Sequence, residues 1–109
     1  FLGKNIDGFC PMGPAVVTSD EVPNINSLKL TTHVNGELRQ TASLDQLIFD
    51  IPELISTLSK VMTLYPGDLI ATGTPAGVGA GYSPPKFLHP GDEVKITIEP
   101  IGVLSNPVL

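Results

Sequence analysis

The stretch LKLTTHVNGELRQ, residues 28–40, decides the fold of this chain. Its first seven residues alternate apolar or β-branched side chains with polar ones, the period-two pattern of a half-buried β-strand. Asn35-Gly36 follows at once, and this dipeptide is the strongest short signal for a two-residue hairpin turn. We therefore predict an antiparallel hairpin that returns through residues 37–40 and packs one face of its first strand on the core.

One helix and further strands are predicted around this hairpin. Asp50 is placed to cap a helix over residues 51–62, with Glu53 at capping-box spacing and Pro52 in the first turn, where its missing N–H costs little. Apolar residues 94, 96 and 98 alternate with polar ones and predict a strand. An apolar run at residues 15–18 predicts a short buried strand, and a second run at residues 68–71 predicts another strand. The predicted class is mainly β with one or two helices (α+β), as a mixed β-roll or barrel-like sandwich with one packed helix.

Two Pro-Gly-Asp sequences, at residues 66–68 and 90–92, predict two turns of the same kind. Proline at the second turn position and glycine at the third suit a type II turn that leads into a strand. The segments after the two turns differ in sequence, so the similarity does not indicate a structural repeat.

The nine residues ATGTPAGVG, 71–79, form the candidate functional loop. Glycine permits positive φ and close approach by a ligand, so such a loop exposes backbone N–H groups and small hydroxyls that suit a carboxylate or phosphate. A turn that merely needs flexible residues explains the same composition. A nucleotide site is disfavoured because the loop lacks a Gly-Lys-Ser/Thr ending.

These segments together resemble the C-terminal part of the fumarylacetoacetate hydrolase family. The shared motifs are GK-x-x-D-x-F-x-P-x-GP at residues 3–14, VNGE at 34–37, LIF-x-IPELI at 47–55, PGD-x-I-x-TGTP-x-GVG at 66–79, PGDEV at 90–94 and IG-x-L-x-NPV at 101–108. They occur in one order over nearly the whole chain. The insertion at residues 84–88 is similar to the longer-looped branch of the family, which includes 2-hydroxyhepta-2,4-diene-1,7-dioate isomerase and oxaloacetate decarboxylase-like members that act on small 2-oxo or 3-oxo acids.

The resemblance assigns roles to three residues. Lys4 falls on the active-site lysine of the family, which implies that it is catalytic and stabilises an enolate or a substrate oxygen. Thr74 and Gly73 are implied to bind the substrate carboxylate. From the residues alone, Lys4 reads as a solvated surface lysine and Thr74 as a turn cap.

The resemblance also implies a cofactor and a larger assembly. Family members hold a divalent metal, Mg²⁺ or Mn²⁺, with a Glu-x-Glu pair and an aspartate that lie upstream of the lysine segment. This chain contains no Glu-x-Glu and begins in mid-motif at Phe1. We therefore expect residues 1–109 to be the C-terminal portion of the catalytic domain, with no metal ligands of its own and inactive alone. The upstream half of the same polypeptide and a second copy in a homodimer are the implied partners.

Composition restricts the other classes of function. The net charge is −5, with six basic and eleven acidic residues and no basic cluster, so nucleic acid is disfavoured as a partner. No apolar run approaches the roughly 18 residues that predict a membrane span. The single cysteine, Cys10, excludes a disulfide within the chain and fits a reducing compartment, so we predict a cytoplasmic protein. We expect Cys10 to be a packed side chain rather than a nucleophile.

Two function classes remain open on the sequence. The first is a metal-dependent hydrolase, decarboxylase or isomerase of small oxo acids, which is active when the polypeptide is complete. The second is a non-catalytic β module retained for subunit assembly. The upstream sequence discriminates between them, because the metal ligands of an enzyme are expected there.

Overall fold

A four-stranded antiparallel sheet and one α-helix make up the regular structure of the described residues. The computed structural model describes residues 6–22 and 24–109. The strands are β1 (Lys29–Val34), β2 (Glu37–Ser43), β3 (Glu93–Glu99) and β4 (Gly102–Pro107), and the helix is α1 (Ile51–Ser59). Single 3-10 turns lie at Ser19–Glu21, Ile25–Ser27, Leu44–Gln46 and Gly79–Gly81. The order across the sheet is β2-β1-β3-β4, so the mainly β class with one helix is confirmed.

The predicted hairpin is confirmed as the pair β1–β2. Asn35 and Gly36 have φ values of 51° and 81°, the positive pair that a type I′ turn requires. Leu28, Thr32 and Val34 are buried, whereas His33 on the other face is only half-buried. The strand predicted from the alternation of residues 94, 96 and 98 is β3. It pairs with β1, and Val94 lies opposite Val34. The period-two pattern therefore identified both central strands.

A β-bulge interrupts the pairing of β1 with β2. Thr32 pairs with Gln40 and His33 pairs with Leu38, which leaves Arg39 as the extra residue. A bulge leaves its extra residue out of the ladder and bends the strand. Since β2 is an edge strand, Arg39 is available to contacts from outside the sheet.

The predicted helix begins as expected and ends early. The side chain of Asp50 accepts a hydrogen bond from the backbone N of Glu53 (2.8 Å), which confirms the N-cap. A capping-box bond occurs instead at the 3-10 turn Leu44–Gln46, where the backbone N of Ser43 donates to the side-chain oxygen of Gln46 (2.9 Å). The helix ends at Ser59, and residues 60–62 continue it only as a turn. Ile51, Leu54 and Leu58 on its apolar face are half-buried, whereas Ile55 on the same face is exposed.

Both Pro-Gly-Asp turns form as predicted. The backbone N of Asp68 donates to the carbonyl of Tyr65, and that of Asp92 donates to His89, each at 3.0 Å. The two glycines, Gly67 and Gly91, have φ values of +98° and +93°, as the third position of a type II turn requires.

Two predicted strands and the predicted core are corrected. Residues 15–18 and 68–71 contain no strand, and Val16 is 94% and Leu69 71% exposed. Apolar sequence favours extended backbone, but a strand also needs a neighbour to pair with, and no described segment provides one. Among the described residues, Leu28 and Val34 are the only buried apolar residues, at 4% and 7% exposure. Cys10 is exposed rather than packed, because it lies in the irregular segment before the sheet. No helix among the described residues is long and apolar enough to cross a membrane.

Candidate substrate-binding loop

The loop after Ala71 lies on the bulge of β2. The Tyr82 hydroxyl donates a hydrogen bond to the Arg39 carbonyl oxygen (3.1 Å). Gly77 lies against the same carbonyl, and a Cβ at this position would overlap the Arg39 oxygen. Its φ of +102° also lies in the region that L side chains rarely adopt. Glycine at 77 is therefore required for the loop to approach the edge strand this closely.

A second anchor lies one residue farther along β2. The amide nitrogen of Gln40 donates to the hydroxyl of Thr74 and to the carbonyl oxygen of Pro75, both at 2.9 Å. Gln40 is half-buried, and its partners are 34 and 35 positions away in the sequence. These two bonds fix the tip of the loop relative to the sheet.

A charged cluster of Glu37, Arg39 and Lys86 holds the segment that follows the loop. Lys86 Nζ lies 2.6 Å from Glu37 Oε1, and Arg39 Nε lies 3.4 Å from Glu37 Oε2. Both cations also lie over the ring of Tyr82, with Lys86 Nζ 4.9 Å and Arg39 Cζ 5.4 Å from its centroid. The hydrogen bond from Lys86 lowers the pKa of Glu37, with the charge of Arg39 acting in the same direction and desolvation opposing them. Solvent screens such partly exposed pairs, so they orient the loop more than they stabilise it.

The tip of the loop is open. Gly73 has a φ of +101°, and no described atom lies within 4 Å of the place where a Cβ would be. Thr74 is exposed beside it. The tip thus presents a hydroxyl and a stretch of backbone without side-chain obstruction, and this arrangement suits an anionic oxygen.

The structure describes two of the three predicted site residues. Thr74 and Gly73 are neighbours in the open tip, delivered by an extended segment rather than by the predicted strand. Their binding of substrate stays a prediction. Lys4 lies outside the described residues, so its predicted place in one pocket with Thr74 also stays a prediction.

The described residues do not fit a metal centre. Within residues 6–22 and 24–109, no three His, Cys, Asp or Glu side chains lie close enough to hold an ion. His89 Nδ1 is 3.9 Å from Asp92 Oδ2 in a turn, where the histidine is exposed and the aspartate half-buried. Upstream metal ligands remain a prediction from the family resemblance.

The sequence did not reveal the residues that hold the loop. Gln40, Arg39 and Tyr82 had no assigned role, because strand spacing carries no signal for a contact across more than 30 positions. The glycines of the loop indicated close approach by something, and at Gly77 the approaching group is the β2 backbone.

Comparison with known proteins decides the family. The family model described as fumarylacetoacetate (FAA) hydrolase C-terminal matches residues 1–109. The chain belongs to this family. The resemblance inferred from the sequence motifs is thereby confirmed.

Individual members of the fumarylacetoacetate hydrolase family are similar over almost the whole chain. Oxaloacetate tautomerase YisK of Bacillus subtilis is 58% identical over 108 residues, which are 99% of this chain and 36% of the relative. A fumarylacetoacetate hydrolase of Exiguobacterium antarcticum superposes with a TM-score of 0.95 at 48% identity, covering 99% of this chain and 39% of that one. The chain therefore spans little more than a third of the length of these relatives.

A third relative shows a bound metal. Maleylpyruvate hydrolase from Sphingobium sp. SYK-6, solved in complex with manganese(II) and pyruvate, superposes with a TM-score of 0.86 at 45% identity. The match covers 94% of this chain and 36% of that one. The family thus includes hydrolases and a tautomerase, and a divalent metal is present in at least one of them.

Proposed function

We propose that the polypeptide containing this chain is a divalent-metal-dependent enzyme that acts on small 2-oxo or 3-oxo acids through an enolate. The observation that carries this proposal is the open Gly73-Thr74 tip, which Gln40 holds on β2. A hydroxyl and backbone N–H groups on a fixed loop suit a carboxylate. The pyruvate bound to maleylpyruvate hydrolase and the oxaloacetate in the name of YisK support the same substrate class.

Each residue has a distinct role in this proposal. Thr74 donates from its hydroxyl and backbone N–H to the substrate carboxylate, and Gly73 permits close approach because it has no Cβ. Fixing the carboxylate aligns the bond that breaks. Lys4 places its ammonium at the enolate oxygen, where negative charge develops. One enolate serves hydrolysis, decarboxylation and isomerisation, so these residues do not select among the three reactions.

The cofactor and the assembly are proposed for the whole polypeptide. We assign Mg²⁺ or Mn²⁺ as the cofactor, with carboxylate ligands upstream of this chain as the family resemblance implies, and the manganese(II) bound to maleylpyruvate hydrolase supports a divalent ion. A homodimer in the cytoplasm is the proposed working form. The roles given to Lys4, Gly73 and Thr74 concern the substrate alone and do not pass through the ion.

Steady-state kinetics of the complete polypeptide with oxaloacetate and added Mn²⁺ test the proposal. Lys4→Ala is expected to lower kcat by roughly 10²–10³-fold, as for loss of one oxyanion donor. Thr74→Val keeps the shape of the side chain but deletes the hydroxyl, so it is expected to raise KM by about tenfold. Thr57→Val on the exposed face of α1 is the matched control and should leave both constants unchanged. Near-wild-type kcat/KM in Lys4→Ala and Thr74→Val would exclude these roles.

A second candidate function is a non-catalytic β module retained for subunit assembly, to which exposed apolar side chains would offer an interface. Ile48 is 92% and Val61 78% exposed on the segments that flank α1. Burial of such side chains in an interface stabilises an assembly. A complete polypeptide that sediments as a dimer but turns over no oxo acid with Mn²⁺ or Mg²⁺ would favour this function over the enzyme.

A further inference from the structure

Gln40 makes two side-chain hydrogen bonds from the sheet to the candidate loop. Its amide nitrogen lies 2.9 Å from both Thr74 Oγ1 and the Pro75 carbonyl oxygen. A carbonyl oxygen only accepts, so the group that faces Pro75 must be the NH₂ end of the amide. The orientation of the Gln40 side chain is therefore determined by chemistry.

The same orientation determines the direction of the bond to Thr74. An amide nitrogen donates and does not accept, so the Thr74 hydroxyl is the acceptor in this pair. A hydroxyl that accepts retains its own hydrogen for donation to another group. Since Thr74 is exposed and lies next to the open side of Gly73, that hydrogen is available to a ligand at the tip of the loop.

We propose that Gln40 is a positioning residue that holds the Thr74 hydroxyl as a hydrogen-bond donor to the substrate carboxylate. This inference rests on the proposed function, because it takes the substrate to be an oxo acid bound at Thr74. Gln40 itself does not touch the substrate. It acts by removing one of the two orientations open to the hydroxyl, the one in which the hydrogen points back to the sheet.

The strand gives Gln40 the rigidity that such a role needs. Gln40 pairs with Thr32, a buried residue of the central strand β1. Its Cγ lies 3.1 Å from the position that a Cβ on Gly77 would occupy, so its stem is confined beside the loop backbone. A group held by regular structure keeps a more precise geometry than a group on a loop. The bulge at Arg39 sets the place on β2 from which Gln40 reaches Thr74.

Two substitutions at Gln40 in the complete polypeptide separate positioning from general loss of structure. Gln40→Met keeps the length of the side chain and removes the donor, so KM for oxaloacetate is expected to rise by about tenfold, with kcat within about twofold of wild type. Gln40→Glu is isosteric but can only accept. Its carboxylate draws the Thr74 hydrogen inward and repels the substrate carboxylate, so KM is expected to rise further than in Gln40→Met.

Gln46→Glu is the matched control for the added charge. The side-chain oxygen of Gln46 accepts from the backbone N of Ser43 (2.9 Å), and a glutamate keeps that acceptor. Gln46→Glu is therefore expected to leave KM and kcat at their wild-type values. If it raises KM as much as Gln40→Glu does, the effect is one of net charge and the inference is overturned.

A double-mutant cycle identifies the route by which Gln40 acts. Because Gln40 works through the Thr74 hydroxyl, Gln40→Met in a Thr74→Val background is expected to add less than a twofold change in KM. A full additional tenfold rise would show that Gln40 acts independently of Thr74 and would overturn the inference. Wild-type KM in Gln40→Met, with a raised KM in Thr74→Val, would overturn the inference and leave the proposed function intact. Absence of turnover by the wild-type polypeptide would instead exclude the proposed function.

Should Gln40→Met not fold, the comparison between Gln40→Glu and Gln46→Glu decides by itself. The loop must be intact for that comparison, and the near-ultraviolet circular dichroism spectrum of the variant against that of the wild type checks the tertiary structure. A folded Gln40→Glu variant with wild-type KM would overturn the inference.

Discussion

The two Pro-Gly-Asp turns of this chain have the same internal hydrogen bonds but different contacts with the rest of the chain. In each, the aspartate backbone N donates to the carbonyl three residues earlier at 3.0 Å. In each, the aspartate side chain accepts from the backbone N of the first turn residue: Tyr65 to Asp68 at 2.7 Å, and His89 to Asp92 at 2.8 Å. The four-residue sequence therefore produces the same turn twice.

Among the described residues, only the second turn has hydrogen bonds to partners distant in the sequence. Asn35 donates from its side-chain amide to Asp92 (2.8 Å) and accepts from the backbone N of Glu93 (2.9 Å). The chain then continues as β3, paired with β1. After the first turn, Leu69 and Ile70 remain exposed and outside any described strand. Local sequence thus specifies the turn, whereas a partner elsewhere in the chain determines whether a strand follows.

The largest expected effect is a difference in unfolding free energy between alanine variants at two glycines of nearly equal φ. Gly67 and Gly77 have φ values of +98° and +102°, but only Gly77 faces the Arg39 carbonyl. Alanine at either position costs about 1–2 kcal/mol for the positive φ. Overlap with the edge strand should add roughly 1–3 kcal/mol at Gly77. Urea unfolding of the two alanine variants of the complete polypeptide measures the difference, and equal losses would contradict the contact with β2.

A smaller effect is expected at the turn aspartates. Asp68→Ala removes one hydrogen bond at the side chain, whereas Asp92→Ala removes the bonds from both His89 and Asn35. The loss of unfolding free energy should therefore be roughly twofold larger for Asp92→Ala. Urea midpoints at one pH provide the comparison. If Asp68→Ala lowers the unfolding free energy by as much or more, the hydrogen bond from Asn35 does not stabilise the second turn.

The smallest effect is a pH dependence at the second turn. The backbone hydrogen bond from His89, followed by that from the Asn35 side chain, lowers the pKa of Asp92 below its ordinary 3.8. Because the folded pKa is lower than the unfolded one, the ionised carboxylate stabilises the fold above the unfolded value, and this contribution is lost as pH falls through the folded value. The stability difference between wild type and Asp92→Asn should shrink as the pH falls from about 5 toward 3. Urea midpoints across this range test it, and a difference independent of pH would exclude the linkage.

Local signals predicted most of the fold. The Asn35-Gly36 turn, the alternation in β1 and β3, and the Asp50 cap each depend on residues close in sequence, and each is present. The failures at residues 15–18 and 68–71 share one cause. A β-branched or apolar run favours extended backbone, but pairing depends on a neighbour that composition does not identify.

The candidate site was predictable only at its tip. Glycine and threonine types marked Gly73 and Thr74, because the chemistry of close approach depends on those residues themselves. The support beneath them was not predictable. Gln40 lies in a strand, and the sequence pattern of a strand indicates only which side chains are buried. The bulge at Arg39 cannot be recognised from the order of polar and apolar residues. The distances between distant residues that fix a binding group emerge only from the fold.

The contact between the loop and β2 affects whether copies of this molecule can associate through the edge strand in a crowded solution. An edge strand offers unpaired backbone groups to which a strand of another molecule can add, and such addition is a route to aggregation. At the bulge the Arg39 carbonyl is already bonded to Tyr82, and the backbone of Gly77 covers it. An incoming strand would find that position occupied and the edge bent out of register. The contact that fixes the loop thereby also closes this part of the sheet against strand addition.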